Sequence, residues 1–124
     1  MTDELQTFVR RLLPTVDGLE AIVVSDRDGV ILIEARSGNV PSAALKPPFL
    51  GVFSIASEQA SKLEVGKNKS IISYYSGHQV VQFNYFPLVV TFIAAVDANT
   101  GLIYALEEEM KETVTDLKSA VAAN

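Results

Sequence analysis

The chain reads as an α+β sandwich in the order helix, two strands, helix, three strands, helix, with its strands in one five-stranded antiparallel sheet. Two observations lead there. Apolar residues recur at steps of three and four in three segments, while β-branched runs fill five others. Within each strand group the connections are too short for a parallel crossover, so the strands turn back on themselves and the helices cover the faces. The 124 residues are expected to form one domain, residues 1–124. A chain of this length buries about two-thirds of its unfolded surface, enough for a core without staples.

The first helix carries Leu5, Phe8, Val9, Leu12 and Leu13 on one stripe. Thr2 or Asp3 can cap its start, Arg10 and Arg11 suit its C-terminal dipole, and Pro14 stops it. After Asp17-Gly18, Leu19–Ser25 and Val30–Ala35 read as strands joined by Asp26-Arg27-Asp28-Gly29, whose Asp-Gly suits a tight hairpin. Both are apolar on consecutive residues, which predicts central strands covered at least partly on both faces. Arg36–Pro48 is a loop with at most one helical turn after Ser42.

A longer helix is expected over Pro48–Leu63, with Phe49, Val52, Phe53, Ala56, Ala60 and Leu63 as its main stripe. Leu50 and Ile55 fall on opposite flanks, so the apolar arc spans roughly half the circumference, wider than one buried face requires. Ser54, Ser57 and Ser61 form a small-residue flank that a second helix could approach. Ser70–Tyr75, Gln79–Tyr85 and Leu88–Val96 then read as strands, turned by Ser76-Gly77-His78 and Phe86-Pro87. The last helix places Ile103, Leu106, Met110, Val114, Leu117 and Val121 on one stripe, with Asn99 or Thr100 as its cap.

Composition narrows the function. A net charge of −5 repels phosphate, which argues against nucleic acid and anionic membrane as direct partners. The absence of cysteine removes disulfides and thiolate metal sites. The opening MTDELQ has no basic and apolar signal pattern, and Leu88–Val96 is far short of the ~20 residues of a membrane span. A soluble intracellular chain without direct membrane insertion is expected, any membrane address coming from a partner.

No catalytic, cofactor or metal set is expected either. Aligning Gly29 with the glycine of a calcium loop puts Val24 and Ala35 at ligand positions, so that pattern fails. His78 is read as an exposed loop residue without a nucleophile or further ligands nearby. Glu107, Glu108, Glu109 and Glu112 read as a solvated helix face, or alternatively as an acidic docking patch. Lys62, Lys67 and Lys69 lack a phosphate-loop frame and either keep a strand end soluble or meet an acidic partner. The sequon at Asn68-Lys69-Ser70 is a chance match without a secretory signal.

The positive signal is Ser70, Ile71, Ile72, Ser73, Tyr74 and Tyr75, a β-prone, uncharged strand with a hairpin link to one neighbour only. Such an edge aggregates unless a loop or helix shields it or another chain pairs with it. Pairing is the reading adopted, with Leu50, Ser54, Ile55, Ser57 and Ser61 of the central helix beside the seam and the Ser73 N–H on the open side.

The segments A-I-V-V-S-D-R-D-G-V (Ala21–Val30), S-K-L-E-V-G-K-N-K-S-I-I-S-Y-Y (Ser61–Tyr75), Q-V-V-Q-F-N (Gln79–Asn84), P-L-V-V-T-F-I-A (Pro87–Ala94) and A-N-T-G-L-I (Ala98–Ile103) resemble the roadblock family, specifically its MAP kinase scaffold subunits of Ragulator complexes. The resemblance implies a roadblock/LC7-type sandwich with one long helix on one face and the terminal helices on the other. It implies heterodimerisation with a second roadblock subunit, through third strands (here Ser70–Tyr75) paired across a pseudo-two-fold axis and central helices (here Pro48–Leu63) side by side. It further implies a separate lipidated Ragulator anchor subunit holding the pair on the cytoplasmic face of late endosomes and lysosomes. There the assembly supports signalling by MEK and ERK kinases and recruits Rag GTPases for TOR activation. No catalytic residues come with the resemblance. A homodimeric roadblock module regulating a small GTPase is the alternative. A small-ligand sensor is a third reading, and it would draw on Tyr74, Tyr75, Asn84 and Tyr85.

Overall fold

Strands with apolar residues on consecutive positions fit where both faces are covered, and two strands here are buried along nearly their whole length. The computed structural model describes residues 2–122. Its elements are α1 (Thr2–Leu12), a 3₁₀ turn (Leu13–Thr15), β1 (Leu19–Asp26), β2 (Ile31–Arg36), a second 3₁₀ turn (Ser42–Leu45), α2 (Pro47–Ser61), β3 (Ser70–Tyr74), β4 (His78–Tyr85), β5 (Leu88–Ala95) and α3 (Thr100–Ala122). The strands form one antiparallel sheet in the order β2-β1-β5-β4-β3. β1 and β5 lie inside it, and their side chains alternate between two cores. Ile22, Val24, Val90 and Phe92 pack under α1 and α3 with Leu5, Val9, Ile103 and Met110. Ala21, Val23 and Ile93 pack under α2 with Leu50, Ala44 and Leu45. Each large apolar side chain fully buried in these layers contributes about 1.5–3 kcal/mol.

β2 departs from expectation. It is an edge strand, not a central one: Ile33 and Ala35 are buried beneath α1, but Val30 just before it and Leu32 within it are exposed. Its hairpin with β1 forms as the Asp-Gly pair predicts. Asp26 Oδ1 accepts hydrogen bonds from the N–H groups of Asp28 and Val30, each at 2.9 Å. Gly29 has φ of 90°, and a Cβ there would collide with the Pro47 carbonyl oxygen. Only glycine fits, because the turn is both left-handed and wedged under the start of α2.

Three local expectations are corrected or decided. α1 stops at Leu12, just before Pro14 as expected, and the chain tightens into the 3₁₀ turn that contains the proline. Asn99 caps α3, its Oδ1 accepting from the Leu102 N–H at 3.1 Å, while Thr100 is used elsewhere. The expected Thr2 cap lies outside the described side chains; Asp3 and Glu4 are the acidic residues of the first turn. His78 is not an exposed loop residue. It opens β4, is half-buried, and places Nε2 3.2 Å from Glu20 Oε1, a buried oxygen with no other partner among the described residues. The loop is shorter than the sequence suggests because the Tyr75 N–H already bonds the His78 carbonyl at 2.7 Å.

Candidate interaction surface

β3 pairs with β4 in the register Ser70↔Phe83 to Tyr74↔Gln79, and with no other strand among the described residues. Hydrogen bonds at its two ends fix which groups face inward. The Lys69 carbonyl accepts from the Asn84 N–H at 2.8 Å, and the Tyr75 N–H donates to His78. Backbone direction alternates along a strand, so Lys69, Ile71, Ser73 and Tyr75 bond β4, while Ser70, Ile72 and Tyr74 turn their N–H and C=O outward. The Ser73 N–H is therefore a ladder donor, not the open-side donor the sequence suggests. Asn68 Nδ2 covers the Ser70 carbonyl at 3.1 Å, leaving the backbone of Ile72 and Tyr74 as the open stretch.

Side chains alternate the other way. Tyr74 reaches over the α3 side, where Thr100 Oγ1 donates to Gln79 Oε1 at 2.6 Å. That uses the only hydroxyl proton of Thr100, so the Tyr74 hydroxyl is the donor in its 2.9 Å contact with Thr100 Oγ1. Gln79 is fully buried and its Nε2 donates into the carbonyls of Ala95, Val96 and Ala98 at 2.9–3.3 Å. The strand next to the open edge is thus pinned to the start of α3. Ser70 Oγ adds a 2.6 Å bond to the Tyr104 hydroxyl. On the opposite side Ile71, Ser73 and Tyr75 line a shallow groove against Phe49, Val52 and Ala56 of α2.

α2 is rotated relative to the sequence expectation. Leu50, proposed as partner-facing, is fully buried in the core beneath the helix. Ser57 is buried too, and the serine flank serves the chain's own fold. Ser54 Oγ donates to the Arg27 carbonyl at 3.0 Å, and Ser61 Oγ donates to the Ser57 carbonyl while accepting from the Asn68 N–H. A second helix finds no small-residue approach there. The outward face is apolar instead, with Val52 56% and Ile55 65% exposed. Ile55 stays at the surface as expected, whereas Val52, expected on the main apolar stripe, is exposed, as is Leu63, which lies beyond the end of the helix. The signal that could have found this rotation is the i, i+3, i+7 set Leu50, Phe53 and Ser57, which the turn from Asp28 fixes inward by abutting Gly51.

At the opposite edge one residue of β2, Glu34, is covered. Gln6 on α1 donates from Nε2 to the Glu34 carbonyl and accepts from the Glu34 N–H at 3.4 Å, so one carboxamide meets both outward groups of that residue. Among the acids of α3, Glu107 is not part of a solvated face: its Oε2 accepts from the Tyr85 hydroxyl at 2.9 Å. Burial, and then the neighbouring Glu107 carboxylate, push the Tyr85 phenol well above its usual range and keep it a donor. Glu108, Glu109 and Glu112 are exposed. The tyrosines considered for a ligand cavity do not converge, since Tyr74 and Tyr85 face α3 and Tyr75 faces α2. Among the described residues no helix is long and apolar enough to cross a membrane.

A five-stranded antiparallel sheet between one central helix and two terminal ones, with one edge left open, defines a roadblock-type module. Solved structures agree on the fold: Myxococcus xanthus MglB superposes with a TM-score of 0.74 at 11% identity, covering 94% of this chain and 96% of that one. A Roadblock/LC7 domain from Streptomyces avermitilis gives 0.64 at 12% identity over 90% and 96%. Sequence carries the assignment further. Residues 3–121 match the family described as mitogen-activated protein kinase kinase 1 interacting, and the chain belongs to that family. It is 54% identical to the human Ragulator complex protein LAMTOR3 and 50% identical to that of Danio rerio, each over 121 residues and 98% of both chains.

Proposed function

We propose that the chain is the non-enzymatic scaffold subunit of a Ragulator-type complex, and that it pairs with a second roadblock subunit through the open edge of β3. The observation that carries this reading is the outward backbone of Ile72 and Tyr74, solvent-exposed, whereas on the other edge Glu34 is covered by Gln6 and flanked by a charge pair and a register shift. An open edge of this kind accepts a strand, main-chain hydrogen bonds supplying affinity and the flanking side chains specificity. Val52 and Ile55 continue the surface onto α2, where the partner's central helix lies alongside. Family membership supports a scaffold role with a kinase of the MEK class as client. The kinship with Ragulator proteins supports a place on late endosomes and lysosomes, held by a lipidated anchor subunit, where Rag GTPases are recruited and TOR is activated.

The test is co-expression of the chain with the second roadblock subunit of its complex, followed by light scattering and identification of what co-purifies. A defined one-to-one heterodimer is the expected result. A monodisperse monomer that takes up no roadblock partner, or a stable homodimer that refuses one, contradicts the reading.

A further inference from the structure

An apolar tip and an apolar cavity lie at opposite ends of the open edge. Beyond the C-terminus of α2, Leu63 is 73% exposed and Val65 86%. The segment that carries them is held in place, with the Leu63 N–H on the Ala60 carbonyl at 3.2 Å and the Asn68 N–H on Ser61 Oγ at 3.0 Å. Glu64 between them adopts φ of 63°, a left-handed conformation that a glutamate rarely takes. The exposed Lys62, Lys67 and Lys69 around them keep this apolar tip in water. At the other end, a cavity of about 170 Å³ opens between the start of α2 and the β3–β4 turn. Ala43, Ala44, Phe49, Tyr75, Val80 and Ile93 are among the residues lining it.

Antiparallel pairing of β3 with an equivalent strand implies a two-fold, or pseudo-two-fold, axis near Ile72. That axis exchanges the two ends of the edge. The segment following one central helix then comes to the start of the other, so this chain's apolar tip faces the partner's helix start and this chain's cavity faces the partner's corresponding segment. We infer that Leu63 and Val65 are the anchor this chain inserts into its roadblock-type partner, and that the cavity at Ala43, Phe49 and Tyr75 receives aliphatic side chains from the partner's corresponding segment. The inference rests on the strand pairing proposed above and assigns specificity to the ends of the seam. Strand backbones bond any partner, whereas a tip and a cavity must match in size and position.

The test uses the full chain co-expressed with the second roadblock subunit, comparing Leu63→Ser/Val65→Ser, Ala43→Glu and Ile72→Pro with the unaltered protein. Leu63, Val65 and Ala43 are exposed in the free chain, so the first two variants are expected to melt with it. Each is expected to weaken the complex at least tenfold, as truncating a buried interface anchor does. Changes below twofold in both, with Ile72→Pro still abolishing the complex, overturn the anchor and leave the seam standing. If the unaltered chain forms no complex, or Ile72→Pro leaves it intact, the strand seam fails and takes the anchor with it.

Discussion

At β2 the outward N–H and C=O of Glu34 meet the carboxamide of Gln6, whereas at β3 the outward groups of Ile72 and Tyr74 meet solvent. The two edges differ in chemistry as well as in cover. β2 carries Glu34 and Arg36, 3.6 Å apart, and its pairing with β1 is broken by a register shift at Val24/Ser25. Charges and irregular pairing of this kind discourage an incoming strand. β3 is regular, uncharged and short. One sheet therefore protects itself against pairing on one side and offers pairing on the other, and the asymmetry directs a partner to a single place.

The largest expected effect comes from proline at an outward position of the open edge. Ile72→Pro removes an N–H that makes no bond within the chain, so the fold remains while partner binding, measured by titration calorimetry, falls below detection. One residue on, the same substitution does the reverse. Ser73→Pro deletes a donor of the β3–β4 ladder and is expected to cost about 1–3 kcal/mol in denaturant unfolding, because a Val80 carbonyl loses its partner. Comparable destabilisation by both prolines would remove the alternation on which the open edge rests.

The β2 edge offers the smaller test. Gln6→Ala strips the cover from Glu34 and is expected to cost about 1 kcal/mol in denaturant unfolding. It is also expected to bring concentration-dependent self-association in light scattering. A variant that stays monomeric would show that the charges and the register shift at β2 suffice without the carboxamide.

The order of elements and the open edge were legible because they depend on local pattern, hairpin turns and β-branched runs, which neighbours do not alter. Positions that depend on packing were not. Val30–Ala35 is apolar enough for a central strand, yet its pattern is also that of an edge covered on one face by α1. α2 has apolar residues on most of its circumference, so periodicity alone could not choose which of Leu50, Val52 and Ile55 faces the sheet. The contact of Gly51 with the β1–β2 turn makes that choice. The Gln6 bond to Glu34 joins residues 28 positions apart, and nothing in the polar side of an amphipathic helix announces it. His78 shows the same limit, since its neighbour Glu20 belongs to a different strand.

Amide hydrogen exchange at three residues tests the central claim most directly, measured on the chain alone and in complex with the second roadblock subunit. Glu34 is expected to exchange at the same rate in both states, already covered by Gln6. Ile72 and Tyr74 are expected to exchange rapidly in the free chain and to slow at least tenfold in the complex, while Ile71 and Ser73 remain protected throughout. Rapid exchange of Ile72 and Tyr74 that persists in a stable complex would contradict strand pairing at β3.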